Sequence, residues 1–447
     1  MVKASKNTVK ITQALVIGIL EVIPSGNTAM GNTVSSYNPL LCFLEVSYRN
    51  KLTMIVLGKL EQLIDDIGGC GLLQVIFCLL VHCSSFVSLW SVMSMSFIGY
   101  NPGFTCQTLE LSFDLLSVLN TSNLSPEDLC STGKDSACKT YVFANDMNTI
   151  VSEWQLVCGK RWIVAFVISI QMVGMLVGFI IAAQIADLFG RKPTILIGLF
   201  IITVFNFGGY LSNSYGAYCG IRFVIGIGLG FYYTVQKPFM SELVPSRWRS
   251  FVVCCPIEPM VSMTFAFAVW WLNDWKLIHL LVTVIGVVMT VIVYLVPESF
   301  RWLLSKMKFE RAKRSIHCVA TMNRVPMPDL KRLFNSAVSE IESSSHRNNK
   351  TNTSILWASK DLRKTTMSLS LLWFCAHASW YATSLGLESI PVNIYLTIFL
   401  INLVDVPSLL LISPIVNKFG RKKFCLVICI MSCLFCCSSG ILQHFGN

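Results

Sequence analysis

Apolar residues gather into nine runs of about twenty, near 72–97, 162–186, 193–213, 217–236, 251–272, 277–296, 366–387, 394–416 and 424–442. Each run is long enough to cross the roughly 30 Å hydrocarbon layer of a bilayer as one α-helix. The pattern predicts nine membrane spans and an all-α membrane protein. The polar stretches between them are short, apart from 98–161 and 298–364.

Composition supports the pattern. With 54% hydrophobic residues, 13% charged residues and a mean hydropathy of +0.62, a soluble domain would have to hide more apolar surface than its volume permits. Lysine and arginine set the orientation, because positive loops are retained on the cytoplasmic side. The loops 187–192, 237–250 and 417–423 hold Arg191, Lys192, Lys237, Arg247, Arg249, Lys418, Arg421, Lys422 and Lys423, whereas 214–216 has none. These basic loops are therefore expected inside. The segment 298–364, with basic clusters at Lys306 to Arg314 and Lys360 to Lys364, reads as a cytoplasmic linker between two halves. A basic inner face beside anionic membrane lipid accounts for the net charge of +11, and no nucleic-acid partner is implied.

Segment 98–161 differs in kind. It carries Cys106, Cys130, Cys138 and Cys158, an acidic balance and overlapping glycosylation sequons at Asn120 and Asn123. An extracellular, glycosylated and disulfide-braced loop is expected, with three pairings open. The other fourteen cysteines, among them Cys254, Cys255, Cys436 and Cys437, sit mostly in apolar runs and read as small buried hydrophobes. No metal or other cofactor is implied. Sequons at Asn349 and Asn352 fall in the inner linker and read as chance. Residues 1–57 fit neither a span nor a signal peptide, since the apolar stretch 11–23 is short and holds Glu21; they read as a disordered leader.

The sequence FGRK stands at 189–192 and again at 419–422, each time between two apolar runs. A basic turn recurring at matched places in two halves points to a duplicated transporter. Around it lie KLEQLIDDIGGCGLLQ (59–74), NTIVSEWQLVC (148–158), ADLFGRK (186–192), RFVIGIGLG (222–230), ELVPSRWRS (242–250), PESFRWLLS (297–305), LRKTTMSLSLLWF (362–374) and VNIYLTIFLINLVDVP (392–407). Taken together, and from about residue 57 onward, the chain resembles the organic cation, anion and carnitine transporters of the major facilitator superfamily.

The resemblance implies two six-helix bundles around a cavity that opens alternately to each side, in the plasma membrane. On that template residues 58–297 form the first bundle with its outer loop 98–161, 298–364 the linker, and 365–447 three helices of the second. Three further helices are expected after the last run, so the chain reads as a nine-span, C-terminally truncated member; the alternative is a non-transporting isoform or degenerate copy that associates with full-length relatives. The resemblance also implies an inner network of Asp187, Arg191, Glu242, Arg249, Glu298 and Arg301 that holds the outward-facing state, with Arg421 in the second turn. Ala183 and Leu188 stand where the family has Gly and Arg, which weakens close helix approach and one ion pair. Simple inside-positive anchoring is the other reading of Arg191 and Lys192.

Charge inside the runs is scarce. Arg222, Glu258 and Asp405 each cost about 2.5–3.5 kcal/mol at a helix centre unless paired or hydrated, so each should face a cavity or a partner. Arg222 reads as a conformational and ionic coupling residue, with Gly226, Gly228 and Gly230 beyond it as a small-residue packing surface. Glu258, between Pro256 and Pro259, either does the same or satisfies backbone groups freed by a broken helix. Asp405 matches an acidic position of the family's eighth span, while Leu409 stands where many anion carriers place lysine. Trp373, Trp380 and Tyr381 share one helical face at steps of seven and eight, suited either to stacking on a flat organic ion or to the membrane interface. His377 reads as packing, and Tyr233 and Ser96 are secondary substrate candidates. Neither GxxxxGK nor HExxH nor GxSxG is present, so no enzyme is expected. The function expected is transport of a small organic ion, its charge sign left open.

Overall fold

The computed structural model describes residues 64, 68–107, 140–143, 147–326, 360–385 and 394–445. The leader 1–57, Asn120, Asn123, Cys130, Cys138, Asn349 and Asn352 lie outside the described residues, as do the side chains of Trp380, Tyr381 and Arg421.

The first expected span is two helices, α1 (Leu72–Cys83) and α2 (Ser85–Ile98), meeting at Ser84. Next come a short antiparallel ribbon of β1 (Phe104–Gln107) and β2 (Thr140–Phe143), and the single turn α3 (Ile150–Glu153). Four long spans follow, the second to the fifth: α4 (Trp162–Phe189), α5 (Arg191–Tyr210), α6 (Tyr215–Leu243), and a fifth divided into α7 (Ser246–Val253) and α8 (Ile257–Leu272). The sixth is α9 (Trp275–Leu295). Short helices α10 (Phe300–Ser305) and α11 (Phe309–Met322) follow, then α12 (Lys360–Leu385), α13 (Ile394–Phe419) and α14 (Arg421–Phe445).

Among the described residues seven helices are long and apolar enough to cross a membrane: the first six spans and the eighth. The seventh and ninth expected spans are helical, as α12 and α14, but do not meet that test. In α12 the run itself carries Ser368, Ser370, His377, Ser379, Thr383 and Ser384, which lower its hydropathy. The fifth helix breaks at 254–256, one turn earlier than the two prolines suggest. Pro256 has no N–H and pushes Cys255 out of the helical region, whereas Pro259 sits harmlessly in the first turn of α8, where no N–H partner is required.

Helix α4 buries one stripe, Ile163, Val167, Gln171, Gly174, Gly178, Ala182 and Ala186, and turns Val173, Leu176 and Ile180 outward. The stripe meets α6 almost backbone to backbone. A Cβ on Gly174 would lie 2.1 Å from the Phe223 carbonyl oxygen, and one on Gly226 would lie 2.2 Å from that of Gln171. Gly178 and Gly230 touch one turn deeper, so each helix presents two glycines four apart, the small-residue spacing that lets membrane helices approach. Gly228 faces the other way, onto Gly198 and Ile202 of α5. The glycines of α6 therefore serve two neighbours rather than one surface.

The eighth span touches the fifth. Ile398 and Ala266 are buried together, the Phe267 and Phe399 rings lie 5.7 Å apart, and Tyr395 donates to Asn273 at 2.8 Å. At the other end of the first six spans, α11 lays Ala312, Ile316 and Val319 inward. Asn323 behind it donates to Gln74 at 2.8 Å and accepts from the Leu73 amide at 3.3 Å, which ties this helix to the start of α1.

Candidate functional site

Polar side chains within the first six spans collect at three levels. The lowest surrounds the first FGRK turn. Gly190 ends α4 with φ +120°, a conformation that L side chains avoid, and a Cβ there would strike Glu298 Oε2 at 2.5 Å. Helix α5 starts at once, and its free amides point at Glu298. The Glu298 Oε1 atom accepts from the backbone N–H groups of Arg191 and Lys192 at 3.1 Å each, and from Ser299 at 3.0 Å. A carboxylate is well placed there because a helix N-terminus carries partial positive charge. Burial nevertheless pushes the Glu298 carboxyl above its usual range, aided by the nearby Glu242 charge and opposed by the three amides.

Arg191 bridges two spans. It donates to Asp187 Oδ1 and the Ala186 carbonyl at 2.8 Å each, and to Glu242 Oε1 at 3.2 Å. Arg301 donates to the Glu242 carbonyl at 3.1 Å, and Arg249 to the Ser241 carbonyl at 3.1 Å. Six expected network residues are thus neighbours, but Glu298 acts as a helix cap, and Arg249 and Arg301 also hold backbone carbonyls of α6. Arg191 finds its partners on α4 and α6, all within the first six spans. The second turn repeats the geometry, with Gly420 at φ +82° between α13 and α14.

Arg222 lies twenty residues before Glu242 on the same helix, about 30 Å away at 1.5 Å per residue. It does not join the lower cluster. Its side chain is fully buried, and none of its hydrogen-bond partners is a carboxylate. It donates to Tyr218 Oη at 2.7 Å, the Ser91 carbonyl at 3.2 Å, Ser94 Oγ at 3.2 Å, Gln171 Oε1 at 3.2 Å and His279 Nε2 at 3.2 Å. The amide of Asn206 donates to Ser91 Oγ and to the Ile202 carbonyl, so its oxygen accepts from His279 Nδ1–H at 2.8 Å. His279 Nε2 then keeps a lone pair for the guanidinium, and a neutral imidazole serves as its acceptor.

Above this seam the segment 147–157 is bolted on. Glu153 accepts from Trp275 Nε1 at 2.7 Å and from Lys276 Nζ at 2.6 Å, and Trp154, Tyr218 and Trp275 stack edge to face within 5.2–5.5 Å of one another. The EWQLVC motif is thereby given a job, closing the top of the sixth span. Cys158 at its end is disulfide-bonded.

The middle level holds an ion pair hidden from sequence inspection. Lys237 was expected in a basic loop but lies inside α6, where its ammonium contacts Glu258 at the start of α8. Glu258 therefore has a charged partner and is not occupied with freed backbone groups. The apolar run ends at 236 and does not mark Lys237, which the helix carries because it continues to Leu243.

The remaining candidates are scattered. Tyr233 and Ser96 are half-buried on α6 and α2, while Trp373 on α12 is 42% exposed, its ring 5.0 Å from exposed His377. Asp405 is exposed on α13 and makes no hydrogen bond or ion pair among the described residues.

The sequence pattern of the sugar (and other) transporter family matches residues 87–446. The human organic cation/carnitine transporter 2 is 27% identical over 321 residues, covering 69% of this chain and 57% of the relative. Mouse organic anion transporter 3 is 28% identical over 294 residues, covering 63% and 53%. The chain spans about half the length of the curated relatives it matches. The partially occluded inward-open xylose transporter XylE from E. coli superposes with a TM-score of 0.50 at 16% identity, covering 78% of this chain and 74% of that one. A double-tryptophan XylE mutant gives 0.52, also at 16% identity, covering 78% and 70%. These solved structures share the fold, and all the named relatives are transporters rather than enzymes. With the match running over most of its length, the chain belongs to the sugar (and other) transporter family of the major facilitator superfamily.

Proposed function

We propose that the protein carries a small organic ion across the plasma membrane by alternating access of two helical halves, residues 58–297 and 365–447, joined by the inner linker 298–364. The observation that carries this reading is the cluster at the first FGRK turn. One arginine is shared between carboxylates of two spans, a third carboxylate caps the helix that follows, and the same glycine turn recurs at Gly420. Charge-assisted clusters at matched glycine turns of two halves fit a carrier whose halves rearrange around a central solute path. The names of the relatives, which include cation, anion and carnitine transporters, supply the solute class. Trp373, Trp380 and Tyr381 are the rings proposed to stack on the solute, and Asn120 and Asn123 the proposed outer glycosylation sites.

The test uses the purified chain in proteoliposomes, with a labelled organic cation and a labelled organic anion. Uptake above protein-free vesicles is expected for one of them. Arg191→Ala should keep reconstitution yield while lowering uptake about tenfold, equivalent to one lost charge-assisted contact. Full uptake by that variant would reduce Arg191 to an orientation anchor, and no uptake of either solute would overturn the carrier reading.

A further inference from the structure

Among the described side chains of α12, α13 and α14, only Thr397 and Ile398 are buried. The second half therefore meets the first within little more than one turn, Tyr395 to Phe399, at the start of α13. Gly420 and its basic neighbours close the other end of that helix, about 38 Å away at 1.5 Å per residue. In the orientation that the basic loops give, the contact lies at the outer end. It is built to part. Its buried apolar centre is one pair, Ile398 on Ala266, with Tyr100 packed against it, and the Phe267 ring that meets Phe399 stays 60% exposed. The hydrogen bond from Tyr395 Oη to Asn273 Oδ1 that crosses it exchanges for water at small net cost.

Asn273 is not placed by α8 alone. It ends that helix at φ +46°, a left-handed turn that asparagine tolerates better than most residues. The turn is clamped from outside. The Asn273 carbonyl accepts from the Asn148 N–H at 2.9 Å, the Asn148 carbonyl accepts from the Trp275 N–H at 3.2 Å, and the Asn148 side-chain amide donates to Asp274 Oδ2 at 3.3 Å. Glu153, five residues further on, holds the same segment to Trp275 and Lys276. The segment 147–157, the turn at Asn273 and the start of α13 thus form one continuous chain of contacts from the outer surface to the meeting point of the halves. Loosening the segment frees the turn, and a turn free to move no longer holds its side chain toward Tyr395.

We propose that Tyr395 and Asn273 latch an outer gate between the two halves, and that the outer segment 147–157 keeps this gate shut by holding Asn273 in its turn. The proposal rests on the carrier reading for its purpose, but the gate can be followed without transport. The full chain carrying Ala266→Cys, at a position only 4% exposed, is treated in intact cells with a membrane-impermeant maleimide, and alkylation of residue 266 is read by mass on its own peptide. Slow alkylation is expected, as the gate opens spontaneously. Adding Tyr395→Phe, or Asn273→Gly, which keeps the turn and removes the amide, should speed it about fivefold, the effect of one hydrogen bond. Glu153→Ala should speed it as well. Glu153→Ala combined with Tyr395→Phe should go no faster than the faster of the two, because the segment acts through the bond already removed. Val269→Cys, fully buried on the same helix within the first half, is the control and should stay unlabelled throughout.

Alkylation absent in every variant, or indifferent to Tyr395→Phe and Asn273→Gly, overturns the gate, and so does an equal rise at Val269→Cys, which would mean general loosening. Glu153→Ala without effect, or multiplying the effect of Tyr395→Phe, overturns the part given to the outer segment. If Ala266→Cys fails to reach the surface, Ile398→Cys carries the same comparison. The full labelling pattern in a chain without vesicle uptake supports the gate and removes the carrier reading instead.

Discussion

Arg222 shows how neutral acceptors can hold a cation in a bilayer, with no carboxylate bonded to it among the described residues. Five different groups accept from it, and the His279 acceptor is itself fixed by Asn206. A lysine reaches one point rather than a fork of directions, so Arg222→Lys keeps the buried charge and abandons several of its partners. Thermal unfolding in detergent should register a loss of about 2–4 kcal/mol; an unchanged midpoint would mean that the seam is hydrated. Glu298 offers a pH-dependent case. Its folded pKa is raised by burial above the usual 4.5, so the folded form holds a proton over a window where the unfolded chain has lost it. That contribution is present below the usual value and is lost as pH rises through the raised one. Glu298→Gln retains an oxygen for the three amides and should remove this pH dependence from the melting temperature, whereas Glu298→Ala should lower the midpoint at every pH by losing the cap, a cost of about 1 kcal/mol.

Among the elements, the contact of α4 with α6 depends most on residue size. At Gly226 a methyl group would meet the Gln171 carbonyl at 2.2 Å, and backbone cannot step aside as a flexible side chain can. Gly226→Ala should therefore force the two helices apart and lower stability by about 1–3 kcal/mol, read as a fall in melting temperature and in single-species yield. Gly220 on the same helix has open space around it, and Gly220→Ala should be neutral or stabilising by up to about 1 kcal/mol through helix propensity. Equal losses at both positions would show that helix propensity rather than close approach controls these glycines. The sequence discloses the small residues of RFVIGIGLG, but it cannot say that alternate glycines face different helices, because that depends on where α4 and α5 are placed.

At the scale of the whole molecule, the outer segment and the sixth span are fastened through Glu153, whose two oxygens hold Trp275 and Lys276. Glu153→Ala should free residues 147–157 and speed trypsin cleavage at Lys160 and Arg161 severalfold, as expected when about 1–2 kcal/mol of local protection is lost. Cleavage unchanged in rate would place the fastening in the aromatic stack of Trp154, Tyr218 and Trp275 instead. The opposite end is held by Arg191 and Glu298, so the first six spans are tied at both ends and joined to the eighth through Ile398 and Tyr395.

The amino-acid sequence by itself determined the helical class, the positions of the first six spans and of the eighth, and the two glycine turns. These follow from run length, from bilayer thickness and from the fact that only glycine turns readily at positive φ, all local properties. The family resemblance carried by ADLFGRK, ELVPSRW and PESFRW also grouped the residues of the lower cluster. Tertiary structure alone decided what those residues do: Glu298 caps a helix 107 residues away, and Arg191 is shared between two spans. The seam of Arg222 with His279, Asn206, Tyr218, Gln171 and Ser94 joins five spans and has no signature along any one of them. The same holds for Lys237 and Glu258. A polar residue in an apolar run is visible in sequence, but its partner is chosen by helix rotation and packing, which hydropathy does not encode.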